Sequence, residues 1–304
     1  MITNNELQFK YEHAMRSRYA ERTCLAYEQD LERFFSFFKR KETIDLTAQE
    51  IEVYLNYLGK LTDKEGNLLF TDRTVNRHRS ALAGLYDYAI EQGYRRDNPL
   101  RGVKSRQIKE EAIGFLTERE IQVLLLKIAN APRKDDYVAA RDHFMIRLTL
   151  YTGLTSYEII HLRFNQIDFE NNCLVVYDVN QDARLVPLPS ALKEEYEDYL
   201  AKRQDIFCEE KEAEELVFVN QKGCQLKAQS FNNTLAKYGK KLRLFNGLSQ
   251  SMLRHTYARQ KIQEGVSAEC LSELLGHSNH YYTLRLYETW FKEAADLTIP
   301  KINY

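Results

Sequence analysis

The chain has 304 residues, 44% of them hydrophobic and 29% charged, with five prolines and a formal net charge of -1. That length suits two domains, each able to bury a core of its own. It contains no apolar run as long as a membrane span and no charged-then-apolar leader in "MITNNELQFKYEHAMRSRYAERT". The near-neutral charge also argues against a uniformly basic nucleic-acid binder.

The first hundred residues read as helices. In "TCLAYEQDLERFFSFFKRK", Leu31, Phe34, Phe35 and Phe38 form one apolar stripe at helical spacing. "LTAQEIEVYLNYL" opens with a capping box, Thr47 to Glu50, stapled by Leu46 and Ile51. "DRTVNRHRSALAGLYDYAIEQGY" carries a stripe at Leu82, Leu85, Tyr86 and Ala89, with Gly93 at the expected C-cap. Asn98-Pro99 breaks the pattern, because a residue before proline is pushed out of helical geometry.

"YRRDNPLRGVKSRQIK" (94–109) holds six Arg or Lys against one Asp, and the basic stretch from about 95 to 114 reads as an interdomain linker. The expected division is a helical domain over 1–105, a basic linker over 106–114 and a second domain over 115–304. The second domain opens with another box and staple, Thr117 with Glu120 and Leu116 with Ile121. Helices continue to about 163. "QIDFENNCLVVYDVNQDARLVPLP" then has two apolar runs around Asn171-Asn172 and Asn180-Gln181-Asp182, a small antiparallel sheet. Helices resume near 190, with one more short strand expected at "LVFVN" (216–220). The fold class is therefore mainly α with a small antiparallel β-sheet (α+β).

Five cysteines lie far apart without CxxC or Cys/His spacing, so they read as reduced thiols of a cytoplasmic protein with no zinc site. "KYGKKLR" (237–243) is basic and "EEKEAEE" (209–215) acidic; by default both are solvated faces.

Four segments carry chemistry. "YTGLTSYEIIHLRFNQID" (151–168), "ARLVPLP" (183–189), "SMLRHTYARQ" (251–260) and "LLGHSNHYYTLRLYE" (274–288) resemble, in order, the motifs of the tyrosine recombinases, the phage integrase family. The resemblance covers nearly the whole chain. It implies a helical, SAM-like core-binding domain followed by a recombinase catalytic-type domain, double-stranded DNA as partner, and no metal or cofactor. In that family a tyrosine oxygen attacks a DNA phosphodiester, leaving a 3′-phosphotyrosyl link and a free 5′-hydroxyl. Two arginines that can fork onto the phosphate neutralise the developing charge, a hairpin lysine protonates the leaving oxygen, and two further positions are His, or His and Trp.

Carried over residue by residue, the resemblance retains Arg254, His277 and Tyr287 as catalytic positions. It finds Thr155 where the first arginine belongs, Ser251 where the HxxR histidine belongs, and no lysine between 171 and 192. A threonine hydroxyl is a neutral single donor in place of a planar cation with several. Arg163, Arg147 and Arg184 are the arginines that could substitute. Read as isolated residues, Arg254 would hold helix ends, His255 would be structural, and Tyr287, one of 20 tyrosines, would be a core aromatic.

The expected DNA contacts are Arg73, Arg77 and Arg79 on one helix, Lys104 and Arg106 in the basic linker stretch, and Lys241 and Arg254 in the second domain. Backbone contacts of this kind give affinity and salt dependence rather than sequence choice. The resulting expectation is a DNA-associated, bacterial or phage-encoded cytoplasmic protein: a silent recombinase relative that binds specific DNA as a repressor in a prophage or mobile element. Such a regulator leaves room for a homo-oligomer on DNA and for a peptide or protein antagonist. The alternative is an active recombinase with Tyr287 as nucleophile.

Overall fold

The computed structural model describes residues 2–108, 112–129, 136–242 and 247–298. They form two compact units, 1–111 and 112–304. Residues 109–111, inside the expected linker, lie outside the described residues.

The first unit is built from α1 (Asn4–Met15), α2 (Glu21–Phe37), α3 (Ala48–Leu58) and α4 (Asp72–Glu91). The predicted stripes supply its core: Leu31, Phe34 and Phe35 of α2 are buried with Leu82, Leu85, Tyr86 and Ala89 of α4. Phe34 meets Tyr54 of α3 edge-on, with ring centroids 5.3 Å apart, a favoured aromatic geometry. The box at Thr47 forms as read: its hydroxyl accepts from the Glu50 backbone and Glu50 accepts from the Thr47 backbone. Gly93 has φ +71°, just past the end of α4, where a side chain would be strained.

The second unit begins with α5 (Glu118–Ala129), α6 (Asp136–Thr152) and the single-turn α7 (Ser156–Ile160). A three-stranded antiparallel sheet follows, ordered β1 (Ile167–Asp168), β2 (Cys173–Tyr177), β3 (Ala183–Pro187). Asn172 and Gln181 take positive φ at its two turns. The register pairs Val176 with Arg184 and Leu174 with Val186. Because side chains alternate across a strand, Arg184 shares a face with buried Val186, while Leu185 points out and is exposed. That alternation aims a guanidinium inward.

The chain continues through α8 (Lys193–Arg203), α9 (Lys211–Glu215), α10 (Ala228–Leu242), α11 (Gln250–Gln263), α12 (Ala268–Leu275), α13 (His280–Leu286) and α14 (Glu288–Thr298). The expected strand at 216–220 does not form. Val217, Phe218 and Val219 are fully buried, but the segment makes only isolated bridges, Arg163 with Leu216 and Val219 with Gln225. Its carbonyls are taken instead by tyrosine hydroxyls, Tyr199 on Val217 and Tyr137 on Val219. Buried backbone groups need partners, and here side chains supply them in place of a neighbouring strand. A separate apolar cluster joins Tyr257, Leu271, Leu275, Tyr287 and Trp290 from α11, α12, α14 and the α13–α14 junction.

Candidate active site

Thr155 is the N-cap of α7. Its hydroxyl accepts from the Glu158 backbone at 3.2 Å, and Glu158 Oε2 accepts from the Thr155 backbone at 2.7 Å, closing a capping box. The side chain where a cation was expected is thus committed to starting a helix. Glu158 is buried, and its other oxygen, Oε1, accepts from Arg184 Nη1 at 2.5 Å.

Arg184 also donates from Nε to the Leu274 carbonyl at 3.0 Å, which ties β3 to the end of α12. Its Nη2 is buried and makes no hydrogen bond. Gly276 ends α12 with φ +69°, and a Cβ there would lie 2.7 Å from Arg184 Nη1, so glycine leaves room for the guanidinium. Arg254, on α11, donates from Nη1 to the Gly153 carbonyl at 2.7 Å and from Nη2 to the Leu275 carbonyl at 2.6 Å. Gly153 has φ +66° and packs so closely that a Cβ would fall 2.5 Å from the Tyr257 ring.

Burial pulls the Arg254 pKa below its usual value, against the raising effect of the Glu158 charge. Burial would raise the Glu158 pKa, but the Arg184 hydrogen bond and charge, with the Thr155 backbone, outweigh it and hold the carboxyl below its ordinary value. Two guanidiniums therefore share one ionised carboxylate. The surplus positive charge suits an anion.

The Arg254 charge also acts on the remaining retained positions. His277, just past Gly276, engages Thr283 Oγ1 through Nδ1 at 2.7 Å; burial first, then Arg254 and Arg184, depress its pKa to about 4. Tyr287 caps α13, is only 1% exposed, and stacks on Trp290 with centroids 5.0 Å apart. Its hydroxyl meets His255 Nδ1 at 2.9 Å. Burial pushes the phenol up to about 12 although Arg254 opposes it, and burial with Arg254 lowers His255 to about 4. Ser251 is exposed in the first turn of α11. At the hairpin turn, where a lysine was sought, Asp178 accepts from the backbone of Asn180 and Asp182.

Of the three arginines considered as substitutes, only Arg184 reaches the pocket. Arg147 pairs with Glu195 at 2.8 Å, and Arg163 pairs with Glu215. Sequence reasoning missed Glu158 and set His255 aside. The signal for Glu158 was present, since T-S-Y-E has the same box spacing as the two that were recognised.

Apart from Arg254, which is held by the Gly153 and Leu275 carbonyls, the expected DNA-contacting residues divide into two groups. Arg73 and Lys104 are exposed and make no ion pair among the described residues, and Lys241 is exposed with its ammonium 5.6 Å from the Tyr238 ring centroid. Arg77, Arg79 and Arg106 are engaged within the first unit. Arg77 donates to the Ala26 carbonyl and forms an ion pair with Asp30, both at α2, and Arg79 holds the Leu100 and Val103 carbonyls. Arg106 pairs with Asp72 and reaches the Leu55 carbonyl.

Residues 114–293 match the profile of the phage integrase family. The chain belongs to that family. A second match, to the phage integrase N-terminal SAM-like domain, spans residues 8–93. This integrase-family chain is similar to the tyrosine recombinase XerC of Thermodesulfovibrio yellowstonii, 28% identical over 84% of this chain and 82% of that protein. The XerC of Bacillus subtilis is 26% identical over 86% of this chain and 84% of its own length. Among solved structures, the Tn1549 transposon integrase in complex with transposon right end DNA superposes with TM-score 0.76 at 18% identity, covering 99% of both chains. The XerH site-specific recombinase bound to a palindromic difH substrate gives TM-score 0.73 at 20% identity, covering 90% of this chain and 78% of that one. The structural likenesses establish the integrase fold: a SAM-like helical domain and a recombinase-type catalytic domain with its small antiparallel sheet.

Proposed function

We infer that this chain binds double-stranded DNA through its integrase fold and holds a backbone phosphate without cleaving it. It acts as a sequence-specific regulator, a repressor of a prophage or mobile element. The observation that carries this reading is the capping role of Thr155. The site has Arg184 and Arg254 to attract a phosphate, but no free cation stands at position 155. Removing one donor aimed at developing charge costs on the order of a hundred- to a thousandfold in rate. The hairpin also lacks a lysine, Ser251 is no general base, and the Tyr287 phenol is buried and hard to ionise.

The partners in this reading are double-stranded DNA, a second copy on the same site, and an antagonist that releases the complex. The protein acts in the cytoplasm, and among its described residues no helix is long and apolar enough to cross a membrane. DNA affinity should fall steeply with salt, and Arg254→Ala should reduce the slope of log affinity against log salt by about one. Mapping of bound DNA across the host genome decides the role. Occupancy of promoters supports the regulator; occupancy confined to attachment junctions supports a recombinase.

One observation favours that second reading. The contact between His255 Nδ1 and the Tyr287 hydroxyl, at 2.9 Å, is the geometry of a base beside a nucleophile. Arg184 would then take over the role of the missing cation.

A further inference from the structure

The DNA-binding reading leaves the acidic run 209–215 without a task. In the second unit that run borders a cavity of about 390 Å3 between α7, the β2–β3 hairpin and α9. Tyr157 and His161 line it, their rings tilted 33° to each other with centroids 4.0 Å apart, and Tyr177 stands exposed on the hairpin side. Glu210 and Glu212 also line it; both are exposed and make no side-chain ion pair or hydrogen bond among the described residues. Asp178 adds a third carboxylate, fixed in place by the backbone of Asn180 and Asp182. The arginine in the lining, Arg163, is already neutralised by Glu215.

We propose that this groove is a binding site for an arginine-bearing peptide segment. A guanidinium is planar, can fork onto carboxylates and stacks on aromatic faces, and the groove offers both kinds of surface side by side. The volume sits at the lower end of the range for small-ligand sites, so it accepts one or two extended side chains rather than a folded surface.

The groove also reaches Glu158, the carboxylate that holds Arg184 and caps Thr155. A cation seated there competes with Arg184 for Glu158 and loosens the anion pocket behind it. The groove is therefore an antagonist site, a consequence that rests on the DNA-binding reading above.

The test begins without DNA, so that its failure is separable from failure of that reading. A fluorescein-labelled tri-arginine peptide is titrated into the full chain and followed by anisotropy. Saturable binding is expected, weakened by about tenfold or more in the Glu210→Gln/Glu212→Gln variant. It should be unchanged in a Glu194→Gln/Glu197→Gln variant, which removes two exposed carboxylates of α8 outside the groove. No binding at millimolar peptide, no loss in the first variant, or equal loss in both overturns the site. Spermidine should displace the peptide only weakly; displacement at equal concentration makes the ligand a polyamine and overturns the peptide assignment. With DNA added, the peptide should lower the DNA affinity of the wild type and not of the Glu210→Gln/Glu212→Gln variant. Peptide binding that leaves DNA affinity unchanged overturns the link through Glu158.

Discussion

Each unit buries a carboxylate beside an arginine, and the two behave oppositely. In the first, Asp30 of α2 faces His78 Nε2 and Arg77 Nη1 from α4, both at 3.0 Å. Burial dominates there and lifts the Asp30 pKa despite Arg77 and Arg33. In the second, Glu158 is as well buried, yet its pKa is lowered because Arg184, Arg254 and the Thr155 backbone win. The difference is the supply of cation. Arg77 is more than a third exposed, so water takes part of its charge, whereas Arg184 and Arg254 are held among carbonyls away from solvent. A buried cluster near neutrality fastens helices together. One with a surplus guanidinium keeps a net positive charge out of solvent.

That contrast can be broken first by deletion. Arg184→Met should strand an ionised, buried Glu158 and destabilise the second unit by about 3 to 5 kcal/mol. Trp290, the only tryptophan in the chain, reports that unit in a denaturant titration. Asp30→Asn should cost the first unit less, about 1 to 2 kcal/mol, read by far-ultraviolet circular dichroism. Equal losses would show that the two clusters are energetically alike.

A smaller effect is expected for Thr155→Ala, which removes the cap of α7 at a cost of about 1 kcal/mol. Acid should sharpen the comparison further. His255 and His277 have native pKa values near 4, below the 6.5 of a free histidine, so the unfolded chain binds more protons between those limits. Their contribution is present in full above pH 6.5 and is lost as the pH falls toward 4. The Trp290 transition should move to lower denaturant over that window, and a His255→Gln/His277→Gln variant should flatten the dependence.

Much of the architecture was legible because apolar periodicity and capping chemistry are local. The stripes at Leu31–Phe38 and Leu82–Ala89 became the first core, and the hairpin turns fell at Asn172 and Gln181. Position 155 was legible only in half: the family pattern showed what was missing there, while the T-x-x-E spacing that explains what remains went unread. The inward turn of Arg184 follows from alternation with Val186, but its partner is 26 residues away and no local rule finds it. Arg77, Arg79 and Arg106 share the opposite difficulty. Helical spacing locates a face without telling what covers it, and α2, the 99–103 turn and α3 cover theirs. The segment 216–220 had the composition of a strand, but tyrosines on distant helices took its carbonyls.

The most direct measurement uses the bound DNA sequence as a duplex nicked beside the candidate phosphate, so that any cleavage traps the protein covalently. Binding and adduct are scored on the same sample for the wild type and for Tyr287→Phe. If the chain binds without cleaving, both show equal, salt-sensitive binding and neither forms an adduct. A covalent complex that forms with the wild type and vanishes in Tyr287→Phe would contradict binding without cleavage.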